Sequence, residues 1–174
     1  KHGNYTEQDE PSPLTFYART KAEAEALVLA NLLHSVVRTT LTAGKSPNSD
    51  RGIEEQLRLR WAKGDTVKLF VDEYRCPIPA EVTARAIWEL ALAKRPGLYH
   101  LAGSQRLSRL EIGQAIAESH PEWNPKIESC SLRDYDGPPR APDTSLDCGK
   151  LQQILSFPLT GLREWLVSSA TQPA

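Results

Sequence analysis

Short runs of strand-forming residues alternate with longer stretches of helical periodicity along the whole chain, and this alternation restricts it to an α/β architecture. Strands are expected over 36–40, 67–71, 98–101 and 126–131, with Val67-Lys68-Leu69-Phe70-Val71 showing the strand period of two. Helices are expected between them. The stretch 14–33 is dominated by Ala, Leu and Glu, with apolar positions at 24, 27, 28 and 32. A second helix spans 51–63 and carries Arg51, Arg58, Arg60 and Lys63. Pro79 suits the first turn of a third, and Pro96-Gly97 closes it soon after Ala93. Ser108-Arg109-Leu110-Glu111 has the spacing of a capping box and opens a fourth, which ends near His120-Pro121. Residues 42–50 and the Pro-rich 132–145 read as loops, and 147–155 and 161–168 as short terminal helices.

Composition limits the functional classes. Hydrophobic residues make up 40% of the 174 and charged residues 25%, an ordinary balance for a globular chain able to bury a sizeable core. A formal net charge of −1 creates no field to draw in nucleic acid or an anionic membrane, and no apolar run approaches the roughly 20 residues of a bilayer span. Neither partner is expected. Cys76, Cys130 and Cys148 are odd in number and lack metal-ligand spacing, which favours reduced thiols in a cytoplasmic protein over disulfides or a metal site. His34, His100 and His120 each stand without a partner spaced for catalysis or ligation.

The chemistry concentrates at Tyr17 and Lys21, a phenol and an ammonium four residues apart at the start of the first helix. Residues at that spacing share a helical face about 5–6 Å apart at Cβ, so the lysine charge favours the phenolate and makes the tyrosine usable as a proton donor or acceptor. The wider run, Pro11 to Glu25, resembles the Pro-x-x-x-Tyr-(Gly/Ala)-x-(Ser/Thr)-Lys-x-x-(Gly/Ala)-Glu segment of the extended short-chain dehydrogenase/reductases. Within that superfamily it is most similar to the family of dTDP-4-dehydrorhamnose reductase. Further matches follow in family order: the strand Val36-Val37-Arg38-Thr39-Thr40, the Asp-x-x-x-x-Pro loop in Val71 to Ile78, the late strand and glycine turn Gly97 to Gly103, and the Arg140 to Leu151 segment.

This resemblance implies the C-terminal part of a Rossmann-like doubly wound sheet plus a small α/β substrate-binding domain. Residues 1–75 would end the NAD(P)-binding region and carry the Tyr-x-x-x-Lys helix, and 76–174 would hold the last sheet elements and the substrate-binding subdomain. The glycine-rich turn with which family members hold the cofactor pyrophosphate has no counterpart, since no two glycines are spaced as Gly-x-Gly or Gly-x-x-Gly. NADP or NAD would therefore be bound mainly by an N-terminal half not contained in the chain, and a segment opening at Lys1 is expected to be inactive alone.

The implied reaction is reduction of a keto group on a nucleotide-activated sugar, with Tyr17 and Lys21 catalytic. Tyr17, Lys21, Arg38 and Thr39 would bind the cofactor, and Arg75 and Arg140 the nucleotide-sugar substrate; no metal is implied and a homodimer is possible. In Arg140 a rigid fork could grip a diphosphate, although Ala141 separates it from Pro142 where the family pattern has the two adjacent. The same scaffold also hosts epimerases, dehydratases and a non-catalytic relative, the regulatory β subunit of methionine adenosyltransferase.

Overall fold

The computed structural model describes residues 3–170; Lys1 lies outside the described residues. Helix α1 (Phe16–Leu29) leads through a tight turn into strand β1 (Ser35–Thr39), then β2 (Thr42–Ala43) and α2 (Ile53–Ala62). Strands β3 (Val67–Phe70), β4 (Tyr74–Arg75) and β5 (Ile78–Pro79) precede α3 (Ala80–Ala93) and β6 (Gly97–Leu101). Strand β7 (Leu107–Ser108), α4 (Arg109–Ser119), β8 (Ile127–Cys130), α5 (Gly149–Gln152) and α6 (Leu162–Ala170) follow, with short 3-10 turns at Pro121–Trp123 and Leu132–Asp134 on either side of β8.

Parallel pairing dominates, as a strand–helix–strand chain requires. Strand β1 runs beside β6 in the register Val37 opposite Tyr99, β2 pairs with β5, and β3 pairs with β8 in the register Leu69 opposite Ser129. Only β4 and β7 are antiparallel. The expected long elements are present. Strands β2, β4, β5 and β7 fell within expected loops or helix starts, because two residues are too few to show a period. The helix expected over 147–155 shrinks to α5. Beyond it the Gln152 side chain bonds the Phe157 carbonyl and the Leu159 N–H, and Ser156 N–H donates to Glu89, so local side-chain bonds replace a helical ladder.

Two cores result. One gathers Ile53, Leu57 and Trp61 of α2, Val67 and Leu69 of β3, Ile112 and Ile116 of α4, and Leu162 and Leu166 of α6. The other joins Ile78, Ala86, Leu90, Tyr99, Leu101, Leu151 and Leu159, with Val37 packed against it. The first core draws on residues from both sides of position 75, whereas the buried residues of the second all lie after it, with the partly buried Val37 packed against them. Helix α1 contributes to neither core and leaves Phe16 and Leu27 more than three-quarters exposed.

The crossing between the cores is tight at Gly103, whose N–H donates to Cys76 O at 3.1 Å. A Cβ there would drive into the Pro77 carbonyl oxygen, so only glycine lets the chain leave β6 this close to the Cys76-Pro77 backbone.

Candidate functional site

Thr15 fixes the start of α1. Its backbone is extended, and its hydroxyl accepts the Ala18 N–H at 3.1 Å, satisfying one of the amides the first turn leaves free. Tyr17 therefore falls in the first turn and Lys21 one turn later on the same face. The Lys21 ammonium lies 5.5 Å from the centre of the Tyr17 ring, both side chains are exposed, and Tyr17 retains 70% of its accessible surface. One further turn along the same face, Glu25 takes the Arg38 guanidinium in a two-pronged pair: Nε donates to Oε2 at 2.8 Å and Nη2 to Oε1 at 2.5 Å.

That pair ties helix α1 to strand β1, and the tie extends inward. Arg38 Nη1 lies 3.3 Å from Nε2 of His100, which is fully buried on β6. The other ring nitrogen faces the Tyr5 carbonyl oxygen at 3.0 Å. A carbonyl only accepts, so His100 carries its proton on Nδ1 and receives Arg38 at Nε2. The His100 backbone N–H in turn donates to Glu7 at 2.8 Å. Arg38, expected to meet a cofactor, is thus occupied by Glu25 and His100. Thr39 beside it is exposed, and the next residue, Thr40, has the one buried side-chain polar atom without a partner among the described residues, its hydroxyl. An orphaned hydroxyl just past the C-terminal end of β1 suits the polar edge of a nicotinamide nucleoside.

A second cluster forms around Glu73, whose side chain is 2% exposed. Arg75 Nη2 donates to its Oε1 at 2.5 Å, and Arg75 Nη1 also reaches the carbonyls of Tyr74 and Ala141. Arg140 grips the same carboxylate through Nε at 3.1 Å and Nη2 at 2.9 Å, with its guanidinium 5.2 Å from the centre of the Phe70 ring. The two arginines placed in the substrate site by resemblance are therefore brought together on one buried anion. Burial works against the Arg140 charge, but the bonds and charge of Glu73 outweigh it and raise the pKa, whereas burial prevails at Arg75 and lowers it.

Sequence reasoning missed both Glu73 and Arg109. The Asp-x-x-x-x-Pro loop drew attention to its ends, and Arg109 was read only as part of a capping box. That box is present: Ser108 Oγ accepts the Glu111 N–H at 3.1 Å, and Glu111 accepts the Ser108 N–H at 2.7 Å. It aims Arg109, the first residue of α4, at a cavity of about 220 Å³. Ile53, Leu57, Val67 and Phe70 give this cavity an apolar side, while Arg60, Lys68, Arg109 and Arg140 supply only positive charge. Asp72 ties the loop after β3 to the chain after β8 by accepting from Ser131 Oγ at 2.6 Å and Leu132 N–H at 2.8 Å. No hydrogen bond or ion pair links this cluster to α1 among the described residues, so the two groups of expected site residues form separate sites on one scaffold.

A larger open cavity of about 530 Å³ includes Arg95, Tyr99 and Lys150, but Lys150 is engaged by the Leu98 carbonyl at 2.7 Å. The three cysteines are free, no group of residues able to hold a metal ion occurs among the described residues, and no helix there is long and apolar enough to cross a membrane.

Parallel strands joined by helices, with the Tyr–Lys face on one helix and a cationic pocket beyond, define an α/β chain of the Rossmann-like class. Comparison with known proteins agrees. The family described as the RmlD substrate binding domain matches residues 1–173, and the chain belongs to it. It is 27% identical over 172 residues to dTDP-4-dehydrorhamnose reductase of Sinorhizobium fredii, covering 92% of this chain and 57% of that protein. It is 32% identical over 146 residues to the probable low-salt glycan biosynthesis reductase Agl14 of Haloferax volcanii, covering 82% and 49%. Similarity extends to methionine adenosyltransferase 2 subunit beta of Rattus norvegicus, 25% identical over 160 residues and covering 86% and 47%. The chain thus spans about half the length of the curated relatives it matches.

Among solved structures, a hypothetical dTDP-4-dehydrorhamnose reductase from Sulfolobus tokodaii superposes with a TM-score of 0.77 at 29% identity, over 92% of this chain and 55% of that one. The Bacillus anthracis dTDP-4-dehydrorhamnose reductase in complex with NADP gives 0.80 at 19% identity, over 95% and 58%, a likeness of fold.

Proposed function

We propose that the protein containing this chain reduces a keto group on a nucleotide-activated sugar with NADPH or NADH. The observation that carries the reading is the pairing of two chemistries on one scaffold: an exposed Tyr17 with Lys21 above its ring, and a cavity whose charged lining is wholly cationic beside an apolar wall. The apolar wall suits a nucleobase. Three arginines against one buried carboxylate leave a surplus of two positive charges, which matches a diphosphate.

A nicotinamide cofactor would supply the hydride to the carbonyl carbon. Tyr17 then gives its phenolic proton to the carbonyl oxygen, so that one hydride and one proton convert ketone to alcohol. Lys21 would hold the cofactor's ribose hydroxyls, and its charge beside the Tyr17 ring would stabilise the phenolate left behind. Thr39, with the Thr40 hydroxyl, contributes at the nicotinamide side, and Arg38 acts as a positioning residue by holding α1 to β1 through Glu25. Arg140 lines the substrate pocket and is fixed by Glu73, a carboxylate that Arg75 holds as well. In domain terms, the α1–β1 unit serves the cofactor and the cavity between α2, β3 and α4 serves the substrate.

The match to methionine adenosyltransferase 2 subunit beta favours one other reading, a binding subunit that keeps the scaffold without turnover. Tyr17→Phe in the full-length protein separates them. The substitution removes the proton donor with little change in shape, so kcat should fall about 10²–10⁴-fold while cofactor affinity stays near wild type. Turnover that survives the substitution would remove Tyr17 from the reaction.

A further inference from the structure

Arg109 is a partly buried cavity cation whose side chain has no hydrogen-bonded or ion-paired partner among the described residues. Its neighbours are provided for: Arg75 and Arg140 share Glu73, and Arg106 holds Asp143 at 2.6 Å. The Arg109 guanidinium makes no hydrogen bond or ion pair among the described residues, although its backbone N–H is fixed to the Glu73 carbonyl at 2.9 Å. Its position is also electrostatically adverse. Arg109 is the first residue of α4, where the free amides already form the positive end of the helix dipole and favour an anion. Partial burial adds to the cost and pushes its pKa below the usual arginine value, with the Glu73 charge only partly opposing this.

We infer that Arg109 is the residue that binds the substrate diphosphate, while Arg140, already held in two-pronged contact by Glu73, forms the wall beside it. This rests on the nucleotide-sugar reading of the cavity and changes the residue assigned to the phosphates. A diphosphate entering along Phe70 and Leu57 would meet a guanidinium that has no protein partner to give up, so none of the binding free energy is lost in breaking an ion pair. Arg140 would have to release or share Glu73, whose buried charge would then lose its bonds.

The test is calorimetric titration of the full-length protein with UDP and dTDP, for wild type, Arg109→Gln and Arg109→Lys, with thermal unfolding measured alongside. Arg109→Gln should weaken nucleoside diphosphate binding about tenfold or more and reduce its salt dependence, and Arg109→Lys should fall between because it keeps the charge but loses the fork. Both variants should unfold at or above the wild-type temperature, because the side chain removed has no partner in the folded protein. Equal affinity in Arg109→Gln and wild type would overturn the inference alone. Failure of wild type to bind either nucleotide would overturn it together with the nucleotide-sugar reading. A marked loss of stability in both variants would show Arg109 to be structural and overturn it too.

Discussion

Two glutamates show how differently this chain treats a buried carboxylate. Glu73 is held by Arg75 and Arg140, the second of which also lines a cavity. Glu55 is satisfied by the chain around it: the Ser46 hydroxyl donates at 2.6 Å, and the N–H groups of Ser46, Arg51 and Gly52 donate at 2.7, 3.0 and 2.8 Å. Those bonds, led by the Ser46 hydroxyl, pull its pKa from 4.5 down to about 2. Because the folded-state pKa lies below the unfolded one, this stabilisation is complete above pH 4.5 and is lost as pH falls towards about 2. Urea unfolding followed across that window should show wild type losing stability with acidification, and Glu55→Gln should show a distinctly flatter dependence. Parallel curves for the two proteins would mean that Glu55 is not held in this way. Neither role could be read from the sequence, because Glu55 meets a loop before its own helix and Glu73 meets Arg140 from a distant loop.

Elements were legible in proportion to their length and to the chemistry of their ends. Helix α4 announces its start through Ser108 and Glu111, and α3 begins just after Pro79, with that residue as its N-cap. Helix α1 falls within the expected span, and its apolar positions Ala24, Leu27 and Val28 are exposed. The two-residue strands carry no periodic signal and exist through their partners, as Thr42 and Ala43 do opposite Ile78 and Pro79. The Tyr–Lys face was legible because a helix brings residues four apart together; the arginine pocket was not, because α2, β3 and α4 build it jointly. Gly103 is where element packing is least forgiving. Gly103→Ala should destabilise the protein by about 1–3 kcal/mol, since the added methyl must displace the Pro77 carbonyl and strain the bond to Cys76. Chemical denaturation would measure it, and a loss of a few tenths or less would show that the β6 exit can shift freely.

At the scale of the molecule, the proposed reductase reading assigns the cofactor to one group of residues and the substrate to the other. One core carries β6 and, through Val37, the strand that anchors the Tyr17 helix; the other shapes the cavity over which Arg109 and Arg140 stand. The Glu25–Arg38–His100 chain fixes the first site to the sheet, and the Glu73 cluster fixes the second to the loop after β3. The central claim is hydride transfer to a sugar ketone. Its most direct measurement is to incubate the full-length protein with NADPH or NADH carrying deuterium at the transferable position and a UDP- or dTDP-linked 4-keto sugar, then locate the label by nuclear magnetic resonance. The account predicts deuterium retained at the former carbonyl carbon with one cofactor oxidised per alcohol formed; label remaining in the cofactor, or sugar rearranged without net oxidation, would contradict it.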